Sequence, residues 1–164
     1  MENLWATWRR EFILGSREKG CVFCNRIKQR SDRENLILFR GKRVIVIMNR
    51  YPYNGGHVMV VPRAHKSSLS QLTAAESCDL FNLSRKTVEI LQKALPTDGF
   101  NLGINLGDIA GAGVKDHLHI HVVPRFKGDT SFMPVFANVK VQSISLLEIY
   151  DMLKPGFGRL KGKF

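Results

Sequence analysis

Residues 116–125 read DHLHIHVVPR, so that His117, His119 and His121 alternate with Leu118, Ile120 and Val122. Strict alternation over six residues has the period of a β-strand, and successive side chains of a strand point to opposite faces. One face therefore carries three aliphatic residues fit for a core. The other carries three imidazoles and is expected to look onto something polar. A metal site built from all three histidines fails on distance. Strand neighbours at i and i+2 lie roughly 6.5–7 Å apart, and those at i and i+4 about 13 Å. At most two of the three can share one ion, so the row must divide its labour.

The segments around this strand define the rest. Residues 4–14 (LWATWRREFIL) read as an amphipathic helix or arm, and GCVFC as a tight CxxC turn. NLILF at 35–39 and VIVIM at 44–48 read as a hairpin about Gly41, and HVMVVP at 57–62 as a third strand. Thr73 and Glu76 form a capping box that opens a long helix to about Leu95, stopped by Pro96. FNLGINL at 100–106 is a fourth strand, GDIAGAG a glycine-rich loop, and the histidine row the fifth strand. A short strand near SFMPVF, a helix around Ser143 to Leu153 and a basic tail follow. The expected class is α+β: an antiparallel five-stranded sheet with one long helix and a C-terminal helix. The expected domain is single, 1–164, with its core at about 20–127, an N-terminal arm at 1–15 and a basic tail at 154–164.

The formal charge of +11, from 25 basic and 14 acidic residues, attracts polyanions without choosing among nucleotides, nucleic acid and anionic surfaces. No run of eighteen apolar residues appears, and no signal peptide is read. Three cysteines, two of them in one CxxC, suit a reducing compartment, and the reading is cytoplasmic.

A CxxC alone serves redox or metal chemistry. The redox form usually opens a helix within a βαβ unit, and none is read here. A structural zinc site needs four ligands. Cys78, placed by its spacing from Phe81 on the apolar face of the long helix, reads as a small buried hydrophobe. Elimination then favours His65, just past the third strand, and His117, completing Cys21, Cys24, His65 and His117. His119 and His121 stay free of metal. A neutral imidazole whose other nitrogen donates to a backbone carbonyl is a good nucleophile or base. Gly107, Gly111 and Gly113 can bring backbone N–H groups close to an anion.

HLHIHVV matches the pattern His-φ-His-φ-His-φ-φ, where φ is apolar. With CVFC, MNRYPYNGGHVMVVPRAH and GFNLGINLGDIAGAGVKDHLHIHVVPR, the chain resembles the histidine triad (HIT) superfamily of nucleotide hydrolases and transferases. The likeness runs from about Cys21 to Phe126 and leans towards the short bacterial diadenosine tetraphosphate phosphorylase branch. It implies a HIT-like fold and a homodimer. It implies a nucleotidyl-histidine intermediate on His119, with His121 on phosphate oxygens, and structural zinc on Cys21, Cys24, His65 and His117. It also implies that Asn49 holds the ribose and that Asn105 with the loop Gly111 to Gly113 meets phosphate. An apolar pocket including Phe23 and Ile47 would then fit the base of AMP. His57 matches a recurrent histidine of the family and reads as structural.

The loop carries Gly111-Ala112-Gly113 where phosphorylases of that branch have Gly-Gly-Ser, so the acceptor, phosphate or water, stays open. The leading expectation is an enzyme that cleaves a dinucleoside polyphosphate at an α-phosphate. The alternatives are an adenosine phosphoramidase and a zinc-stabilised nucleic-acid-binding module. The last explains the charge but leaves His119 and His121 without a purpose, so nucleic acid is not the expected partner.

Overall fold

The computed structural model describes residues 18–129, 144–160 and 164. The elements are α1 (Val22–Lys28), β1 (Ile37–Arg40), β2 (Val44–Met48), β3 (Val58–Pro62), α2 (Ala74–Ala94), β4 (Gly99–Gly103), β5 (Ile120–Arg125) and α3 (Leu146–Gly158). The strands form one antiparallel sheet in the order β1-β2-β3-β5-β4. The α+β reading with a long and a C-terminal helix holds. The expected N-terminal helix at 4–14 and the strand near SFMPVF lie outside the described residues.

One face of the sheet packs under α2 and α3. Leu38, Val44, Val46, Val58, Val60, Leu118, Ile120 and Val122 meet Leu80, Leu83, Leu91, Leu153 and Phe157 there. The other face is half covered. Phe23 of α1 closes over Ile37, Ile45, Ile47, Met59 and Val61. Every residue of β2 and β3 is therefore buried, which is why both read as continuous apolar runs rather than alternating ones. Beyond β3, on β5 and β4, that face is uncovered by α1, and β4 is exposed over its last three residues.

Helix α2 begins where its capping box says. Thr73 Oγ1 accepts from Glu76 N at 3.2 Å, and Glu76 Oε2 accepts from Thr73 N at 2.8 Å. Its buried positions, Glu76, Asp79, Leu80, Leu83, Ser84, Thr87 and Leu91, follow helical spacing. Cys78 and Phe81 fall outside this stripe and are exposed. The expectation of a buried Cys78 is thus corrected, because a phase anchored on Phe81 points the wrong way round the helix.

Several boundaries also differ, among them the fourth strand, expected at 100–106 and found at Gly99–Gly103. The CxxC is not a turn: Cys21 is the N-cap of α1 and Cys24 lies within that helix. The fifth strand starts only at Ile120, so His117 and His119 precede it while keeping its alternation. Helix α3 starts at a second capping box, Ser145 with Glu148, and runs through Pro155 to Gly158. The stretch read as basic tail therefore begins inside a helix. Burial of Phe157 outweighs the breaking tendency of Pro155, and Gly156 packs where a Cβ would sit 2.6 Å from Ile90 Cγ2. The last residue returns to the body, with Phe164 O accepting from Lys42 N and Arg43 N.

Helix α3 also seals one edge of the sheet. Tyr150 Oη and Lys154 Nζ both donate to Ile37 O, and Lys154 Nζ also to Leu38 O. Among the described residues no helix is long and apolar enough to cross a membrane.

Candidate functional site

The histidine row crosses from the covered half of the sheet to the open half. At the covered end, His117 is fully buried. Its Nε2 lies 2.8 Å from Pro62 O. A carbonyl can only accept, so Nε2 carries the proton and Nδ1 presents a lone pair. That Nδ1 lies 3.3 Å from Cys21 Sγ, 3.6 Å from Cys24 Sγ and 3.3 Å from His65 Nδ1, and Cys24 Sγ lies 3.3 Å from His65 Nδ1. All four donor atoms fall within 4.8 Å of one another. Tetrahedral bonds of about 2.0–2.1 Å to nitrogen and 2.3 Å to sulfur imply nitrogen–nitrogen and nitrogen–sulfur edges of roughly 3.3–3.6 Å. The donor set thus fits one tetrahedral metal ion with no position left over. Burial, followed by the neighbouring Cys21, pushes the Cys24 thiol up, and a cation among these donors would supply the opposing charge.

The segment after β3 is clamped to the row. Leu118 N donates to Lys66 O at 2.6 Å, and Lys66 Nζ pairs with Glu76 at 2.5 Å. The Lys66 ammonium and the Thr73 cap hold the Glu76 carboxyl at about 2. His65 is thereby tied both to the start of α2 and to His117.

His119 sits in the middle of the row and is 4% exposed. Its Nδ1 lies 2.8 Å from the carbonyl oxygen of His117. The same logic places the proton on Nδ1 and the lone pair on Nε2. Burial lowers its pKa, so the ring is neutral. Phe23 packs against both His117 and His119, with ring centroids 5.3 and 5.1 Å away. Phe23 and Ile47 belong to the apolar cluster on this side. Over His117 and His119 helix α1 covers the histidine face, and the polar groups met there are cysteines, His65 and backbone carbonyls.

At the open end, His121 is half-buried. His57 Nε2 lies 2.9 Å from His121 Nδ1, and Tyr53 N–H donates to His57 Nδ1 at 3.1 Å. A backbone N–H can only donate, so His57 carries its proton on Nε2, and that N–H donates to His121 Nδ1. His121 is left with an N–H on Nε2. Burial, followed by the positive forms of His121 and His119, drives the His57 pKa to about 3; burial and His119 drive His121 to about 4. The three histidines of this half are neutral near pH 7, each with a fixed tautomer.

His57, read from sequence as structural, is completely buried and orients His121. Its signal was available in part, since a histidine just before a wholly apolar strand needs a polar partner. Asn49 is brought beside it: Asn49 Oδ1 accepts from Tyr51 N at 2.9 Å, and Nδ2 lies 3.3 Å from His57 Nδ1. Asn105 lines a cavity with His121 and donates to Gly111 O at 3.3 Å. The glycine loop does not offer all its amides outward. Gly111 N–H goes to Asp108 O and Ala112 N–H to Gly107 O, in a turn where Gly111 takes φ +81°. Gly113 follows, exposed.

Residues 30–128 match the model of the HIT domain family. The chain is 37% identical over 149 residues to a protein of Mycobacterium tuberculosis named AP-4-A phosphorylase, a match that covers 86% of this chain and 76% of that relative. It is 36% identical over 95 residues to a protein of Schizosaccharomyces pombe named bis(5'-nucleosyl)-tetraphosphatase (asymmetrical), covering 58% of this chain and 52% of the relative. A crystal structure of a Zn-bound histidine triad family protein from Mycobacterium smegmatis superposes with a TM-score of 0.69 at 25% identity, over 85% of this chain and 94% of that one.

Proposed function

The chain belongs to the HIT domain family, and from that premise we propose that it cleaves a dinucleoside polyphosphate, such as diadenosine tetraphosphate, at an α-phosphate through a nucleotidyl-histidine intermediate. The observation that carries this reading is the 2.8 Å hydrogen bond from His119 Nδ1 to the His117 carbonyl, which leaves Nε2 as a neutral, oriented nucleophile. Attack by Nε2 forms a nitrogen–phosphorus bond. The bond from that phosphorus to its bridging oxygen breaks, and the departing nucleotide keeps the electron pair. The imidazole becomes positively charged, and its Nδ1–H faces the carbonyl dipole of His117. Water or orthophosphate then displaces the histidine, releasing AMP or ADP. His121 Nε2–H donates to the phosphate oxygens, held in place by His57. Asn49 meets the ribose, Asn105 with Gly111 and Gly113 meets the phosphate chain, and the base lies against Phe23 and Ile47.

The four-donor cluster is assigned to a structural zinc ion, supported by its edge lengths and by the Zn-bound relative. When bound, the ion cross-links α1, the segment after β3 and the histidine row, with no open position for substrate. Its thiolates suit the reducing cytoplasm. A homodimer is the expected assembly. Strand β4 is the outer strand of the sheet opposite the edge that α3 seals, and it exposes Leu102, the condition under which a second chain can add. Light scattering of the purified protein checks this.

Product analysis of diadenosine tetraphosphate turnover, with and without phosphate, tests the reaction. ADP plus ATP in phosphate identifies phosphorolysis, and AMP plus ATP identifies asymmetric hydrolysis. Absence of both, with turnover of adenosine 5'-phosphoramidate, would replace this reading with a phosphoramidase.

A further inference from the structure

The covered half of the histidine face accounts for the cleaved nucleotide, and the open half still needs an occupant. A cavity of about 410 Å³ lies there beside His121, within the range of roughly 300–1,000 Å³ usual for small-molecule sites. Its walls include Tyr53, Leu102, Gly103, Asn105, Val123 and Arg125. The sheet order places it on the far side of the row from Phe23 and Ile47, because β5 and β4 follow β3. A nucleophile and a leaving group stand on opposite sides of a phosphorus attacked in line. The leaving group therefore departs on the side away from His119, and because His121, read above as a donor to the phosphate oxygens, also lines this cavity, the cavity is adjacent to the part of the substrate beyond the cleaved bond.

The wall chemistry selects the kind of group. Among the described residues the cavity wall carries one cation, Arg125, and its guanidinium is committed. Nε and Nη2 bind both oxygens of Asp129 at 2.6 and 2.9 Å, and Nη1 binds Asn101 Oδ1 at 2.8 Å. Asp129 offsets its charge, so the site is not built for a free polyphosphate. Asn54, itself buried, fixes the same corner by donating to Asp129 at 2.7 Å and to Pro124 O at 2.9 Å. Apart from His121, the remaining surface is aromatic, aliphatic and amide. The Tyr53 ring is stacked on one side against buried His57, with centroids 4.8 Å apart at 23°, yet it is 53% exposed where it lines the cavity. Gly103 stands opposite His121 in register. A Cβ there would meet nothing within 4 Å, so this position is kept open by the absence of a side chain.

We infer that this cavity is a second nucleoside subsite, in which the base of the leaving nucleotide stacks on Tyr53 while Gly103 leaves room beside His121. The inference rests on the dinucleoside polyphosphate reading above. It deepens that reading by making recognition two-sided: one nucleoside on the α1 side, the other between β4 and Tyr53.

The test uses equilibrium binding to the full chain carrying His119→Asn, so that turnover plays no part. Calorimetry compares AMP, ATP and diadenosine tetraphosphate. The dinucleotide should bind about tenfold more tightly than ATP, the ordinary contribution of one base stacked on an aromatic ring. Added Tyr53→Leu should abolish that difference and leave AMP affinity within about twofold. Added Gly103→Val, a change the open strand position accommodates, should abolish it by filling the space. Metal content and melting temperature report whether each variant folds. Equal binding of ATP and diadenosine tetraphosphate would show that the cavity holds no nucleoside and overturns the inference. So would a Tyr53→Leu variant that weakens AMP as much as the dinucleotide, since Tyr53 would then act only by holding His57. Failure of the parent reading shows elsewhere. A wild-type protein that does not turn over diadenosine tetraphosphate removes the reaction, while Tyr53-dependent binding preserves the subsite.

Discussion

The two ends of the histidine row differ more than their sequence suggests. His117 and His121 are the same residue type, four positions apart, on one face. His117 gives its Nε2 proton to Pro62 O and turns Nδ1 into a pocket of two thiols and a second imidazole. His121 Nδ1 accepts a hydrogen bond from His57 Nε2–H, which leaves its own N–H on Nε2 beside a cavity. The first end is closed by α1, and the second lies beyond it. Between them, His119 takes its orientation from the His117 backbone and its neighbour from the open side, with a ring centroid 4.7 Å from that of His121. The lesson is that the partner of the other ring nitrogen sets what each imidazole can do.

The sharpest way to separate the two ends is to remove the residue between them. His119→Asn should lower turnover of diadenosine tetraphosphate by roughly 10⁴-fold or more, the scale of losing a covalent nucleophile. Metal content and melting temperature should stay as in the wild type. Loss of metal along with activity in this variant would merge the two ends into one structural unit and remove the nucleophile assignment.

Cys21→Ser attacks the closed end alone. Zinc by elemental analysis should fall from about one per chain towards zero, with a fall in melting temperature, because metal binding and folding are linked. Activity should fall as a consequence of His117 losing its anchor. A variant without metal that melts with the wild type would show that the closed end does not depend on the ion.

At the open end the effects should be smaller and purely kinetic. His121→Asn should reduce kcat by about 10- to 100-fold, within the range for a misplaced or missing supporting group. His57→Gln should reduce kcat within the same range by loosening His121, with KM changed less than kcat. Neither should release metal. If His57→Gln lost zinc as Cys21→Ser does, the division between the ends would be wrong.

The smallest expected effect is on stability against pH. His57 is held near a pKa of about 3 in the fold, below an unfolded value of about 6.5. Below pH 6.5 the unfolded chain takes up a proton that the folded chain refuses. This contribution to stability is therefore complete above pH 6.5 and is lost progressively as pH falls towards 3. The slope for one proton is at most about 1.4 kcal/mol per pH unit. In urea titrations between pH 6.5 and 5, His57→Gln should flatten the decline by part of that amount. An unchanged slope would mean that His57 is protonated with little cost.

Much of this site is legible in the sequence. Alternation in HLHIHV placed the aliphatics under α2 and the imidazoles together, and strand spacing excluded one ion shared by all three. Elimination from CxxC reached the four donors that the fold brings together. Less was legible where burial was decided by distant chain. Cys78 was misphased because Phe81, its reference, is itself exposed. The C-terminal helix ran past Pro155 because Phe157 found the core. The role of His57 was missed because its partner lies 64 residues away.

Local order therefore fixed the alternation of the histidine row, the capping boxes at Thr73 and Ser145, and which residue types could serve as ligand or nucleophile. These depend on neighbours within one turn or one pleat. Tertiary structure alone decided which nitrogen of His117 and of His121 carries the proton, because Pro62 O and His57 Nε2 reach them from 55 and 64 residues away, whereas the His119 tautomer is set locally by the His117 carbonyl. It alone covered one half of the histidine face with α1 and left the other half open. A strand pattern states which side chains share a face, but only the elements packed above that face determine its dielectric, its hydrogen-bond partners and hence its chemistry.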